Sequence, residues 1–132
     1  MPMKKITLYR LQRPKAPDVN KQVMWFSGTM GLFTCRDKSK SCYRIFLELL
    51  KAAKQGKALS SDEIAYRLHL SRGAVVHHLN NLIDSGMVVS QKNKYALREA
   101  SLDLLVKDLK KEMDEMFAEM NSVAEEIDRA LD

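Results

Sequence analysis

Apolar side chains recur every three or four positions in the first half of the chain, a spacing that predicts amphipathic helices. The first predicted helix begins after Asp18, a good N-cap, and ends at Gly28 and Gly31. It carries an apolar group formed by Val19, Val23, Met24, Trp25 and Phe26. A second helix is predicted over about 39–55, with Gly56 in the position where glycine usually follows a helix. Its stripe is formed by Cys42, Ile45, Phe46, Leu49, Leu50 and Ala53.

The segment before these helices has a different pattern. Apolar and polar residues alternate over 5–11, with Ile6 and Leu8 on one side, and this alternation predicts a short strand. Pro14 and Pro17 end that strand, because proline lacks a backbone N–H and restricts the residue before it. The segment therefore continues as an extended linker.

Two short helices are predicted in tandem after residue 58. Ser60 and Glu63 have the spacing of a capping box, in which each side chain binds the other residue's backbone N–H. Leu59 and Ile64 occupy the flanking positions of a hydrophobic staple. The first of the two helices therefore begins at about residue 61 and ends near residues 69–70. Its inward side chains are predicted to be Ile64, Ala65 and Leu68.

The second helix of the pair follows almost at once. Ser71 is its N-cap and Gly86 closes it, and its inward face is formed by Val75, Leu79, Leu82 and Ile83. Two strand-like runs then follow, 87–89 and 95–97, separated by the polar, basic residues 90–94. Two helices joined by a tight turn and followed by a hairpin form a winged helix-turn-helix. The predicted fold is mostly α with a small β-hairpin wing.

A long helix is predicted to follow the Ser101 N-cap. Its apolar residues alternate steps of four and three: Leu102, Val106, Leu109, Met113, Met116, Met120, Val123, Ile127 and Ala130. Leu105, Phe117 and Leu131 widen this stripe. About 30 helical residues span roughly 45 Å, which exceeds the body of so small a domain. Because one helix cannot bury such a stripe on itself, we expect a homodimer seam.

Charge divides along the chain. Residues 1–98 hold 18 Lys and Arg against 6 Asp and Glu, whereas residues 99–132 hold 4 against 11. A basic body with an acidic tail predicts a polyanionic partner for the body. Composition is otherwise that of a globular protein, and no apolar run reaches the ~18 residues of a membrane span. Two cysteines form no disulfide framework, so a reducing cytoplasmic location is expected.

The polar face of the helix that Ser71 caps carries the candidate chemistry. Opposite its apolar face lie Gly73, His77, Asn80, Asn81 and Asp84, with Arg72 in the first turn. Arg, Asn and His side chains can bind base edges, with Arg suited to guanine and Asn to adenine. The Ser71 end, with its free N–H groups, suits a phosphate. The alternative interpretation is an ordinary solvated helix face.

The stretch LSSDEIAYRLHLSRGAVVHHLNNLIDSGMVV resembles the winged helix-turn-helix of prokaryotic transcription regulators of the ArsR and MarR type, in particular archaeal regulators with this layout. The resemblance extends over about 41–98. It implies that the recognition helix meets the major groove through Ser71, Arg72, Gly73, Val76, His77 and Asn80. It also implies that Lys92 and Lys94 touch DNA from the wing, and that the long last helix dimerises. Unlike the metal-sensing members, this chain has no cysteine in the recognition region.

Other chemistry finds little support. The spacing of Cys35, Cys42, His69, His77 and His78 fits no zinc pattern, and no catalytic set or phosphate-binding glycine loop is present. Neither an enzyme, a metal nor a cofactor is therefore expected. Trp25, Phe26 and Phe33 could line a ligand pocket, although core or dimer contacts are the simpler interpretation. The sequence does not indicate whether the protein binds an effector ligand.

Two functional hypotheses follow. The first is a homodimeric regulator that binds double-stranded DNA, with an arm and short helix over 1–38, the DNA-binding domain over 39–98 and a coiled-coil-like dimerisation helix over 99–132. The second is a protein–protein interaction module that uses the acidic last helix as a bridge. The arm's cations either bind DNA or belong to a strand that completes the dimer, and they are Lys4, Lys5, Arg10, Arg13 and Lys15.

Overall fold

Five helices and three short strands form the structure, a computed structural model that describes residues 6–32 and 40–132. The elements are α1 (Val19–Thr29), α2 (Ser41–Lys54), β1 (Leu59–Ser60), α3 (Ser61–Leu68), α4 (Arg72–Asp84), β2 (Val88–Gln91), β3 (Lys94–Leu97) and α5 (Leu102–Leu131). The mostly helical fold with a small wing and a long last helix is therefore confirmed. It has the element order of a winged helix-turn-helix.

Helix α2 lies at the centre of the core. Its residues Ile45, Phe46 and Leu49 are fully buried, as the predicted stripe requires. The stripe of α4 meets this centre through Val75, Leu79 and Leu82, which are also fully buried. Helix α1 joins it through Phe26, whose ring stacks on Phe46 at a centroid distance of 6.1 Å. Burial of these apolar side chains is the main force that fixes the orientation of α4.

The helix ends follow the local chemistry of the sequence. Both hydrogen bonds of the predicted capping box are present: the Glu63 N–H donates to Ser60 Oγ at 3.1 Å, and the Ser60 N–H donates to Glu63 Oε1 at 3.2 Å. Asp18 caps α1 by accepting from the Lys21 N–H. Gly56 and Gly86 follow α2 and α4 with φ of 68° and 81°. These left-handed angles favour glycine.

The sheet differs from the prediction in two respects. Strands β2 and β3 reach further than the predicted runs, so that the predicted loop 90–94 shrinks to a two-residue turn at Lys92 and Asn93. Both turn residues have positive φ, 52° and 62°, the geometry that matches the twist of a tight hairpin. In addition, β1 pairs with β3 on the side away from β2, with Leu59 opposite Tyr95, so β3 is the central strand. A two-residue strand has no periodicity, which is why the sequence pattern missed it.

The N-terminal segment forms no strand in its described part, residues 6–11, and this corrects the prediction. The segment instead lies on α1, because the Tyr9 N–H donates to the Thr29 carbonyl at 2.9 Å. The indole N–H of Trp25 likewise donates to the Leu11 carbonyl at 3.1 Å. A helix end and a side chain therefore satisfy backbone groups that a strand would present to a sheet.

Helix α5 is packed over its first half only. Leu105 and Leu109 are buried, and Leu102 and Met113 are partly buried against the core. Val106, expected in the stripe, is 43% exposed, because the body meets the neighbouring position Leu105 instead. Every residue from 114 to 132 is exposed. The distal half of the helix thus projects beyond the body.

Arg98, just after β3, links the wing to α5. Its Nη2 lies 2.6 Å from Glu112 Oε1, and its Nε lies 3.8 Å from Asp108 Oδ2. The pair with Glu112 is only about one-sixth exposed on each side, with side-chain exposures of 17% and 16%. This ion pair marks the last turn of α5 that the body holds.

Candidate nucleic-acid interface

The turn between α3 and α4 fixes where α4 begins. His69 ends α3 in the left-handed region at φ 56°, and Ser71 caps α4 by accepting from the Ala74 N–H at 3.1 Å. The guanidinium of Arg44 on α2 donates to the Leu68 carbonyl at 2.6 Å and so ties the end of α3 to the core. Because the apolar face of α4 is buried, this turn leaves the opposite face outward.

We call that outward face the open flank of α4. Its members are the exposed residues Arg72, Gly73, His77, Asn80 and Asn81. Asp84 is also exposed and lies at the C-terminal end, whereas Val76 is partly buried at the edge of the flank. The flank therefore presents hydrogen-bonding groups that match base edges, with a single cationic side chain. Contact of these residues with DNA stays a prediction.

Gly73 has no role in the packing of the protein itself. Apart from its chain neighbours and the backbone of its own helix, a Cβ placed on this residue would meet no heavy atom within 4 Å. Glycine costs up to about 1 kcal/mol relative to alanine in a helix, and Gly73, in the first turn of α4, has no packing contact that offsets this cost. The missing side chain instead leaves room for the close approach of an external backbone or base.

Arg72 has a partner within the protein. Its Nε lies 3.5 Å from Asp62 Oδ1 on α3, and the two side chains are 73% and 74% exposed. An exposed pair of this kind contributes little stability, because water and salt screen it. Arg72 can therefore exchange Asp62 for a base or a phosphate at small cost.

The two adjacent histidines of α4 have different surroundings. His77 is exposed on the open flank, as the sequence predicts, whereas His78 is partly buried. Their rings meet edge to face with centroids 5.4 Å apart. The imidazole of His77 is thus held beside its neighbour with its outer edge free to bind.

The wing places two exposed lysines at and beside its turn, Lys92 and Lys94. The hydrogen bonds from the Ser60 backbone and side chain lower the pKa of Glu63 on α3, and the nearby charge of Lys94 lowers it a little further. The wing therefore adds positive charge near the helix-turn-helix. Such charge suits phosphate contacts, which add affinity without reading sequence.

One exposed aromatic residue on α3 was missed by the sequence analysis. Tyr66 is 85% exposed, although it lies only two residues after the fully buried Ile64. Two residues correspond to about 200° around a helix, so the same helical geometry could have placed it outward. Next to it, Arg67 pairs with Glu48 on α2, with Nη1 and Oε2 3.6 Å apart. Tyr66 is a further candidate for phosphate contact.

The other candidate sites do not come together. Cys42 is buried in α2, and Cys35 and Phe33 lie outside the described residues. Across residues 6–32 and 40–132, no three His, Cys, Asp or Glu side chains are placed to hold a metal ion. Phe26 packs in the core while Trp25 holds the N-terminal segment, so these two rings form no ligand pocket. No helix of the described chain is long and apolar enough to cross a membrane.

Comparison with known proteins bears on the central part of the chain. Residues 39–91 match the model of a family described as a helix-turn-helix domain. No curated protein and no solved structure matches the chain. The matched range covers α2, β1, α3, α4 and the first strand of the wing, β2, and so includes the open flank. Residues 39–91 are thus similar to helix-turn-helix domains, and this similarity supports a DNA-binding regulator.

Proposed function

We propose that this protein is a transcription regulator that binds specific sequences of double-stranded DNA as a homodimer. The open flank of α4 carries the proposal, since it is polar, only weakly charged and exposed on a helix whose other side is anchored in the core. The resemblance of residues 41–98 to ArsR- and MarR-type regulators supports the same function. Binding, rather than catalysis, is its proposed activity.

In the proposed complex, α4 enters the major groove with its N-terminal turn foremost. Arg72, His77 and Asn80 reach base edges, and the Ser71 end of the helix receives a phosphate. Lys92 and Lys94 hold the neighbouring backbone and so set the register of the helix. In a two-fold dimer the two half-sites are then about one turn apart, ~34 Å, or a multiple of that distance.

Paired substitutions test this division of roles. Arg72→Ala with His77→Ala is expected to lower the preference for the specific site by about tenfold or more, because each removes base readout. Lys92→Ala with Lys94→Ala is expected to weaken binding to all sequences and to reduce the salt slope by about two for each protomer. Lys54→Ala with Lys57→Ala, at the exposed end of α2, is the control for lost charge.

Binding is measured by gel shift against DNA selected from a genomic library and against random duplex, each at several salt concentrations. The proposed function is wrong if neither the Arg72 and His77 pair nor the Lys92 and Lys94 pair alters DNA affinity. If Arg72→Ala with His77→Ala lowers the affinity for the selected and the random duplex equally, these side chains do not read bases.

A second function is favoured by the distal half of α5, which is acidic and carries exposed apolar side chains. Under this alternative the protein is an interaction module, and that half docks a different protein. DNA binding would then be weak and equal for all sequences, and the isolated chain would be a monomer. Filter binding with random duplex as competitor, together with sedimentation of the chain alone, separates the two functions.

A further inference from the structure

Two exposed surfaces of this protein combine apolar side chains with charges of opposite sign. The arm surface lies on the segment 7–21, and its exposed apolar residues are Leu8, Tyr9, Leu11 and Val19. The distal surface lies on residues 114–132 of α5, and its exposed apolar residues are Met116, Phe117, Met120, Val123, Ile127 and Leu131. Exposed apolar side chains grouped on one segment in this way are typical of a site of protein association.

The charges of the two surfaces are complementary. The arm surface has four basic side chains and one acidic, and all of them are exposed: Arg10, Arg13, Lys15, Lys21 and Asp18. Residues 114–132 contain seven acidic side chains and one basic. Complementary potentials favour contact between the arm surface of one molecule and the distal surface of another.

The same charges disfavour a seam in which two distal halves pack on each other. Glu119 and Glu126, seven residues apart, flank one side of the distal stripe. In a two-helix coiled coil the flanking positions of one helix normally carry charges opposite to those of its partner. Arg129 is the sole cation of residues 114–132, so two distal halves would bring like charges together.

The width of the distal stripe leads to the same conclusion. Phe117 and Leu131 add a third apolar column to the alternating steps of four and three. A stripe with this extra column is wider than a coiled-coil seam and is typical of a helix that packs on a surface of several elements. The arm surface is such a surface, because it combines an extended segment with the start of α1.

The arm surface is also preformed within the monomer. The Tyr9 N–H is bound to the Thr29 carbonyl, and the Trp25 indole is bound to the Leu11 carbonyl. A Cβ on Gly31, which has φ +71°, would collide with the carbonyl oxygen of Thr7, so the segment approaches the chain closely just after α1. A preformed surface binds at a lower entropic cost than a free tail.

We propose that the distal half of each α5 packs on the arm surface of a second copy of this chain. A two-fold axis makes the contact reciprocal, so each dimer contains it twice. The distal half is about 28 Å long, which is enough to cross both the extended segment and α1 of the partner. This proposal specifies the dimer on which the proposed function rests, and it occupies the arm cations with protein rather than with DNA.

Charge reversal on one surface at a time tests the proposal. In the arm variant, Arg10→Glu and Arg13→Glu make both surfaces acidic. In the helix variant, Glu119→Lys and Glu126→Lys reduce the net charge of the distal surface from −6 to −2. Each variant alone is expected to weaken the homodimer by about tenfold or more at low salt, whereas an equimolar mixture is expected to form a heterodimer that is stronger than either variant homodimer, because one of its two contacts is native. The control variant is Lys54→Glu with Lys57→Glu, an equal change of charge at the exposed end of α2.

The dimer is measured by sedimentation equilibrium without DNA. Emission of Trp25, the single tryptophan, gives a second readout, because its indole binds the arm. Weakening of the arm variant and recovery in the mixture support the proposal. An arm variant that dimerises like the native chain overturns it and favours an α5–α5 seam, and if the same variant binds DNA less tightly the arm is a DNA contact instead.

These outcomes are distinct from failure of the proposed function. A native chain that is monomeric at every concentration overturns both the proposal and the homodimer. A dimer whose arm variant is unchanged, but which still prefers specific DNA in gel shifts, overturns only the proposal. Circular dichroism of each variant confirms that the helices are retained.

Discussion

Helix α4 and the distal half of α5 are both amphipathic, but only α4 buries its apolar face against the body of the protein. Helix α4 has its apolar face fully buried at Val75, Leu79 and Leu82, and its polar face is exposed. The distal half of α5 has no residue buried, and its apolar side chains Met120 and Ile127 are 60% and 50% exposed. The apolar face of α4 is therefore buried within the monomer, whereas the apolar stripe of the distal half of α5 is not.

The difference shows what each surface is suited to bind. A polar flank on an anchored helix loses no apolar contact when it meets a wet, polar ligand such as DNA. An apolar stripe flanked by carboxylates is repelled by phosphate and gains stability only by burial against protein. In the functions proposed above, recognition of DNA and recognition of protein therefore belong to different helices.

The largest expected contrast is in core truncation. Leu79→Ala on α4 is expected to lower the free energy of unfolding by about 2–5 kcal/mol, because it leaves a cavity beside α2. Met120→Ala on distal α5 removes a side chain of similar size but is expected to cost less than about 0.5 kcal/mol in the monomer. Urea denaturation measures both at low protein concentration.

Repeating these unfolding measurements at high protein concentration sharpens the contrast. Met120→Ala should then lose stability relative to the native chain, because the native dimer gains from mass action and the variant gains less. A cost for Met120→Ala that is large and independent of concentration would mean that the distal half is buried within its own monomer.

Gly73→Ala is expected to act in opposite directions on stability and on DNA binding. Alanine should raise the free energy of unfolding by about 0.5–1 kcal/mol, since its Cβ meets nothing in the protein and favours the helix. If DNA approaches the open flank closely, the same methyl group should weaken binding by about tenfold. Thermal unfolding and gel shift measure the two effects.

Ala74→Gly, the reverse change at the next position of α4, is the control. It is partly buried and off the open flank, so it should lower stability and leave the preference for a DNA sequence unchanged. A Gly73→Ala variant that is more stable and binds DNA as tightly as the native chain would show that Gly73 does not contact DNA closely.

Local chemistry in the sequence was sufficient to predict α3 and α4. A capping box, a serine N-cap and apolar spacing act within a few residues, and they placed the helix starts and the open flank correctly. Features that depend on distant partners were missed. The segment 6–11 has strand-like alternation, yet it lies on α1 because Thr29 and Trp25 supply its hydrogen bonds.

Two further features could not be found from local pattern. Strand β1 exists only because Leu59 meets Tyr95 across 36 positions of sequence, and a two-residue strand has no period of its own. The rotation of α5 about its axis depends on the body, which buries Leu105 rather than Val106. Even spacing of apolar residues predicts that a helix has a buried face. It places the centre of that face only to within about one residue position.

Glu112→Gln tests where the body-bound half of α5 ends. The change keeps an acceptor for Arg98 but removes the charge, which is expected to cost about 1 kcal/mol of unfolding free energy. Glu119→Gln, two turns further along the exposed half, is the matched control and should change monomer stability little. Urea denaturation at low protein concentration compares them, and equal costs would remove the boundary that we place at Glu112.

The smallest expected effect is the response of the two helix starts to acid. The Ser60 backbone and side chain lower the pKa of Glu63 below its ordinary 4.5. The capping box therefore stabilises the fold above pH 4.5, and this contribution is lost as the pH falls through the lowered pKa. At the start of α5, a hydrogen bond with Asp108 raises the pKa of Glu99, so stability is instead lost as the pH rises through 4.5 toward that raised pKa.

Two single variants separate these opposing responses. Between pH 7 and about pH 3.5, Glu63→Gln should lose less stability than the native chain, because it has no capping carboxylate to protonate. Glu99→Gln should lose more, because it lacks the relief that protonation of the pair with Asp108 gives to the native chain. Urea midpoints across this pH range measure both responses, and the same sign for the two variants would contradict the assignment of opposite pKa shifts.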